Sequence, residues 1–286
     1  MPHTIPPTDT LVIGATGKTG RHILHQLQAA QHPVRIGSRH AERPFSWQDR
    51  SGWPHALENV RAAYIAYAPD LAVPGAQADI AAFVATAREA GVQQLVLLSG
   101  RGEAEAQASE DIVRKSGLRW TIIRASWFFQ NFSEGAFLPM VLAGELALPV
   151  GQTPEPFIDA RDIADIAVAA LTTHEHDGAL YEVTGPQALT FSTIADLISA
   201  RVGRTVTHID IPHADFLHGA RQAGLPADHV WLLDYLFSTV LDGRNSATTD
   251  GVERALGRKP RSFDAFAASL PGNAWQSAPV EAVAAT

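Results

Sequence analysis

Short apolar runs alternate with amphipathic segments through the first 125 residues, and that alternation leaves few folds open. Thr10–Gly14, Val34–Ser38, Phe45–Trp47, Ala62–Tyr67, Leu95–Ser99 and Trp120–Arg124 have the length and apolar density of buried strands. Between them lie helical patterns. Gly20–Ala30 carries Ile23, Leu24 and Leu27 at helical spacing, Ser51–Glu58 reads as a short helix, Gln77–Ala90 places Ile80, Phe83 and Val84 on one face, and Ala104–Lys115 stops at Gly117. Strands joined by helical crossovers predict a parallel sheet covered on both faces. Ligands of such sheets sit at the carboxyl ends of the strands, so Gly14, Ser38, Ala68, Ser99 and Ala125 are expected to line one crevice.

Beyond Ser126 the alternation loosens. Phe157–Asp162 opens an apolar helix running to about Leu171, Tyr181–Val183 and Thr205–Ile211 read as strands, and Phe191–Val202, Ala214–Ala223, Asp228–Leu241 and Gly251–Leu256 as helices. The expected architecture is α/β: a Rossmann-type doubly wound parallel sheet with a smaller, mostly helical C-terminal substrate lobe. Residues 1–155 would form the dinucleotide-binding core, and residues 156–286 would complete it and supply the lobe.

The loop after the first strand, Gly14-Ala-Thr16-Gly17-Lys18-Thr19-Gly20, has one glycine more than a tight turn needs. Gly14 permits a sharp exit from the strand, Gly17 lets the backbone approach a pyrophosphate, and Gly20 lets the helix pack close to the sheet. A side chain at Gly17 is expected to obstruct the phosphates and to strain a positive φ. The helix N-terminus then offers N–H groups and a partial positive charge to the anion. The spacing is not that of a P-loop. At the end of the second strand an NAD site places a carboxylate for the ribose hydroxyl, whereas this chain has Ser38-Arg39 with Arg43 close behind. Arginine pairs bidentately with a phosphate, so the expected cofactor is NADP(H).

Composition narrows the alternatives. The net charge of −8 over 286 residues argues against a nucleic-acid partner. With no cysteine, disulfides, thiolate nucleophiles and cysteine-bound metals are excluded. The segment Met1–Pro7 lacks the pattern of a signal peptide, and no apolar run reaches spanning length, so a cytoplasmic protein without membrane association is expected. The twelve histidines form no tight ligand set, and no metal site is expected. Asp159 and Asp162 look like paired catalytic carboxylates, but they stand where a helix begins and are better read as capping residues. Ser99 is not in a nucleophile elbow and is expected to serve as a nicotinamide-side hydrogen-bond donor or a helix cap. Trp231–Phe237 reads equally as pocket wall, core or subunit contact, which leaves a homodimer open.

The stretches GATGKTG, GSRHAERPFSWQD, LVLLSGRGE, IIRASWFFQNFSEG and PFIDARDIADIAVAAL together resemble the NmrA-like group of atypical short-chain dehydrogenases/reductases. Within that group the resemblance is to relatives of the festuclavine/agroclavine dehydrogenases. It implies that Gly14, Thr16, Gly17, Lys18, Thr19 and Gly20 hold the pyrophosphate, with Ser38 and Arg39 on the adenosine phosphate and Ser46 and Trp47 beside the adenine. Ala68-Pro69 and Ser99-Gly100 would border the ribose and nicotinamide. Ser99, Arg101, Trp127, Phe128 and Asn131 would line the place where a small-molecule substrate meets the nicotinamide.

The chain departs from ordinary short-chain dehydrogenases in lacking their Tyr-x-x-x-Lys pair. Tyr64, Tyr67, Tyr181 and Tyr235 are followed four residues later by Ala68, Leu71, Gly185 and Thr239. The absence of that acid favours acceptors that are already electrophilic: an iminium, a conjugated alkene, a quinone or a cationic dye. A second expectation, from the regulators of the same group, is a protein that binds the cofactor to sense it without turning it over.

Overall fold

The structure, a computed structural model, describes residues 9–276; Met1–Pro7 lies outside the described residues. Six strands form one parallel sheet in the order β2-β1-β3-β4-β5-β7: β1 (Asp9–Ile13), β2 (Val34–Gly37), β3 (Val60–Ile65), β4 (Gln94–Gly100), β5 (Arg119–Ala125) and β7 (Ala179–Val183). The crossovers are α1 (Gly20–Ala29), a 3-10 turn with α2 (Trp53–Leu57), α3 (Ala76–Glu89), α4 (Ala104–Arg114) and α6 (Ala160–Thr172). The chain leaves β1 outward to β2, then returns across it to β3. That reversal opens the crevice above Ile13 and Ile65.

Burial on both faces explains why the strands read as continuous apolar runs. Leu11, Ile13, Ala63, Ile65, Leu95 and Leu97 pack with Phe83 and Trp53 on one face. Their neighbours Val12, Ala62, Tyr64 and Val96 pack with Ile23, Leu27, Ile163 and Ile166 on the other. A third core joins Phe129, Phe132 and Phe137 to Phe157, Phe191, Phe266 and Trp275. It is built around α5 (Leu138–Ala143), α7 (Phe191–Val202), α11 (Phe263–Ser269) and a two-stranded parallel sheet of β6 (Glu145–Leu148) and β8 (Thr207–Asp210). The remaining helices are α8 (His213–Gln222), α9 (Ala227–Tyr235), continued by a π turn over Leu236–Val240, and α10 (Gly251–Leu256).

Phe45–Trp47 is not a strand. Ser46 makes only an isolated antiparallel bridge to Asp49, and Pro44 has no N–H to give to a ladder. Phe45 and Trp47 instead enter an aromatic cluster with Trp53 and Phe83, ring centroids 5.0–5.9 Å apart. The predicted helix over Asp228–Leu241 is present but changes to π geometry at Leu236. Elements α5, β6 and α11 were not expected; each has seven residues or fewer, too short for a period to declare itself.

Candidate active site

The crevice is a cavity of about 590 Å³ running from the glycine loop to the segment after β5. Its end at the glycine loop follows from backbone constraints. The chain turns at Gly14, whose φ of +72° is open to glycine, and the Gly14 N–H donates to the Gly37 carbonyl at 3.2 Å. A Cβ on Gly20 would fall 2.1 Å from the Gly14 carbonyl oxygen, so only glycine lets α1 begin here. Gly17 lies on the cavity wall, and its φ is not in the left-handed region, against expectation; the strain belongs to Gly14. No acidic residue occupies the first turn of α1 and no side chain caps it, which leaves its partial positive charge for an outside anion.

Lys18 and Thr19 also line the cavity, though the Thr19 hydroxyl is taken by Tyr64, which donates to it at 2.8 Å. Lys18 Nζ donates to Asn131 Oδ1 at 2.8 Å, and burial lowers its pKa from the ordinary lysine value. Arg21 grips Glu134 through two guanidinium N–H groups. These contacts tie the glycine loop to the segment after β5, 113 residues away. Thr16 is exposed at the loop tip.

At the end of β2, Ser38 is half-buried. Arg39 is exposed and forms no ion pair among the described residues, so its guanidinium is available. The neighbouring candidates are not. Arg43 is spent on Glu58, at 2.7 Å, and on the His55 carbonyl. The Ser46 hydroxyl donates to Gln48 Oε1 at 2.9 Å. Trp47 is withdrawn into the aromatic cluster, its ring 4.7 Å from that of Tyr67, because those rings cover it better than the crevice would.

Ala68, Pro69, Ser99, Gly100 and Ala125 line the other end of the cavity, as expected, whereas Ser38 lies beyond it. Ser99 needs a correction. Its hydroxyl donates to Glu110 Oε1 at 2.7 Å on α4, where Arg124 Nε also donates at 2.9 Å, so it neither caps a helix nor offers a free donor to the crevice. Arg101 is likewise engaged, donating from Nε to Glu182 Oε1 at 2.7 Å and to the Asn245 carbonyl. Trp127, Phe128 and Asn131 line the cavity, while Phe129 turns into the third core, since three adjacent aromatics cannot all face one way. Trp127 stacks on Phe137 at 6.1 Å and meets Phe237 edge-on at 5.4 Å. Asp159 and Asp162 are structural: Asp159 caps α6 by accepting from the Arg161 N–H at 2.9 Å, and Asp162 accepts from the Arg261 N–H at 2.7 Å. Tyr67, Asp70, Glu103 and Glu134 also line the cavity and were not expected there, whereas Leu236, which lines it too, falls within the segment Trp231–Phe237 that could be read as pocket wall. Only the position of Asp70 and Glu103 just past two crevice-facing strand ends could have pointed to them.

Behind Trp127, Glu155 accepts from the Trp127 N–H at 3.4 Å, and burial pushes its pKa from 4.5 up to about 7. The folded protein therefore holds this proton more tightly than the unfolded chain. Its contribution to stability is full below pH 4.5 and is lost as the pH rises through 7. Glu155→Gln is expected to raise stability at pH 8 by roughly 1–3 kcal/mol and to give no gain at pH 4, in paired thermal melts.

The profile of an NAD(P)H-binding family matches residues 14–174, more than half of the chain. The chain belongs to this family. Among curated relatives, the NAD(P)H azoreductase of Xenophilus azovorans is 30% identical, over 90% of this chain and 96% of its own. The agroclavine dehydrogenase of Claviceps fusiformis is 28% identical over 90% and 95%. The crystal structure of Citrobacter sp. triphenylmethane reductase complexed with NADP(H) superposes with a TM-score of 0.76 at 19% identity, covering 92% of this chain and all of that one. The parallel sheet is thus a Rossmann-type sheet, and the protein is an NAD(P)H-dependent oxidoreductase. Among the described residues no helix is long and apolar enough to cross a membrane.

Proposed function

We propose that the protein is an NADPH-dependent reductase that transfers hydride to a small electrophilic organic acceptor: an imine or iminium, a conjugated alkene, a quinone or a cationic dye. One observation carries this reading. A single cavity joins the glycine loop to an aromatic wall of Trp127 and Phe128, in a chain with no Tyr-x-x-x-Lys pair. Such a site can hold a flat acceptor against a nicotinamide, and it lacks the acid that ordinary ketone reduction uses.

The residues fit the cofactor. Gly17 leaves the cavity wall bare of a side chain there, and Lys18 lines the same space; these groups, with the uncapped N-terminus of α1, would hold the pyrophosphate. Ser38 and the unpaired Arg39 would hold the 2′-phosphate. When bound, the reduced nicotinamide supplies the hydride. Trp127 and Phe128 would orient the acceptor and exclude water, and Asn131, fixed by Lys18, would set the depth of the floor. We assign the acceptor's selection to the lobe formed within residues 156–286, together with the segment after β5, because Leu236 closes the cavity from that side.

Arg39→Ala tests the cofactor assignment. Loss of a charge-assisted phosphate contact of about 1.5–3 kcal/mol is expected to weaken NADPH binding by roughly ten- to hundredfold. NADH binding, measured by the same calorimetry, is expected to change little. Equal weakening of both would show that Arg39 does not read the 2′-phosphate. Cofactor absorbance followed against imines, quinones, enones and dyes tests the reaction. If none is reduced while NADP and NADPH bind with different affinities and alter association with a protein partner, the protein is a sensor instead.

A further inference from the structure

Two carboxyl groups meet on the crevice wall between the neighbouring strand ends of β3 and β4. Glu103, just past β4, is only 6% exposed, and its carboxyl lies over Gly100 so closely that a methyl group there would collide with it. Its Oε2 is buried and receives no N–H or O–H donor. Asp70, in the loop after β3, accepts from the Ala72 N–H at 2.8 Å, and it lines the same cavity near enough to Glu103 for the two carboxyl groups to interact.

Among the described residues neither acid has a cation to pair with. Arg101, on the same wall, is committed to Glu182, and Lys18 to Asn131. The other groups that face Glu103 are acidic or neutral: Glu105 and Glu110 on α4, and Tyr235 on α9, whose hydroxyl is bonded to Glu105. Two neighbouring carboxylates away from bulk water repel, which favours a state in which one of the pair keeps its proton. Burial first, and the charge of Asp70 second, hold Glu103 well above the ordinary carboxyl range.

We propose that Glu103, paired with Asp70, is the acid that protonates a neutral acceptor as it is reduced. The proposal rests on the reductase function given above. A neutral quinone, azo compound, imine or enone that takes a hydride at one atom pushes the π electron pair onto another, which becomes an anion. The O–H bond of the Glu103 carboxyl breaks toward that anion, a new O–H, N–H or C–H bond forms, and the carboxylate recovers its proton from solvent. A cationic acceptor becomes neutral on taking hydride and needs no proton. The pair would therefore widen the range of acceptors from cations to neutral molecules, despite the missing tyrosine and lysine.

Glu103→Gln keeps the shape and removes the acid. In the full chain with reduced cofactor, the ratio of the rate on a neutral quinone to the rate on a cationic triarylmethane dye is expected to fall about a hundredfold. In Asp70→Asn the loss of the neighbouring charge lowers the pKa of Glu103. Its high-pH limb on the quinone is then expected to move to lower pH by roughly one unit or more, because the donor works only while protonated. Infrared difference spectra of the cofactor-free proteins at neutral pH give a readout independent of turnover: a protonated carboxyl band present in the wild type and missing in Glu103→Gln. Rates that fall equally on both acceptors, or the absence of that band, overturn the donor role alone. A wild-type protein that shows the band yet reduces neither acceptor overturns the reductase function and the donor role with it.

Discussion

Gly20→Ala is expected to lower the melting temperature by roughly 2–6 °C and to abolish cofactor binding, whereas Gly17→Val is expected to abolish binding with little change in melting. The difference lies in what each new atom meets. At Gly20 a Cβ would stand 2.1 Å from the Gly14 carbonyl oxygen and 2.8 Å from the Ala15 Cα. Both are backbone atoms with no rotamer to change, so α1 must retreat. That retreat disturbs Ile23 and Leu27 in the second core and the bond from Gln26 to Asp165 at 2.8 Å. Overpacking of this kind costs about 1–3 kcal/mol, and a chain of this length loses about 2 °C for each. At Gly17 the nearest atom to a Cβ is the Gly14 oxygen at 3.2 Å, a contact that a shift of a few tenths of an ångström relieves. The branched side chain would instead stand in the cavity, where the pyrophosphate is proposed to lie. Calorimetry with NADPH beside circular-dichroism melts separates the two variants. Unchanged binding by Gly17→Val would reduce the loop to a turn between a strand and a helix.

The alternation of strands and helices was legible because both faces of the sheet are buried, so every residue of Leu11–Ile13 or Leu95–Leu97 must be apolar. The glycine loop was legible because its constraint is local: Gly14 and Gly20 meet within seven residues. What failed depended on distant partners. Phe45–Trp47 alternates like a strand, yet its rings are claimed by Trp53 and Phe83. Arg43 stands as close to the end of β2 as a phosphate ligand should, but Glu58 takes it. Ser99 lies at the predicted strand end, and only the fold shows that Glu110 receives its hydroxyl. Asp70 and Glu103 belong to no motif. Sheet pairing of β3 with β4 places the two acids together, and nothing in the spacing between them announces it.

Trp127→Ala is expected to cut turnover on any accepted electrophile by roughly ten- to hundredfold while NADPH affinity stays within a few-fold of wild type. Trp127 sits half-buried at the junction of cavity and lobe, its ring against Phe137, Phe191 and Phe237. Under the proposed function it would have two jobs: one face or edge would meet an acceptor, while its contact with Phe237 packs it against the π turn at Leu236–Val240 beside the crevice. Removing the indole widens the place where the acceptor must lie and loosens its cover, and a displacement of about 1 Å from hydride distance costs on the order of a hundredfold in rate. The end of the cavity at the glycine loop is expected to be unaffected, because that loop is held by the turn at Gly14 and by the Lys18–Asn131 bond, whereas the indole packs on Phe137, Phe191 and Phe237. Trp127→Phe preserves a flat apolar ring in the same cluster and is expected to recover most of the rate. A parallel loss of cofactor affinity in Trp127→Ala would place the residue in the cofactor's seat and move the acceptor site elsewhere along the wall. Loss of rate without loss of affinity, restored by phenylalanine, would locate the acceptor between this ring and the strand ends, where the carboxyl pair of Asp70 and Glu103 lines the same cavity.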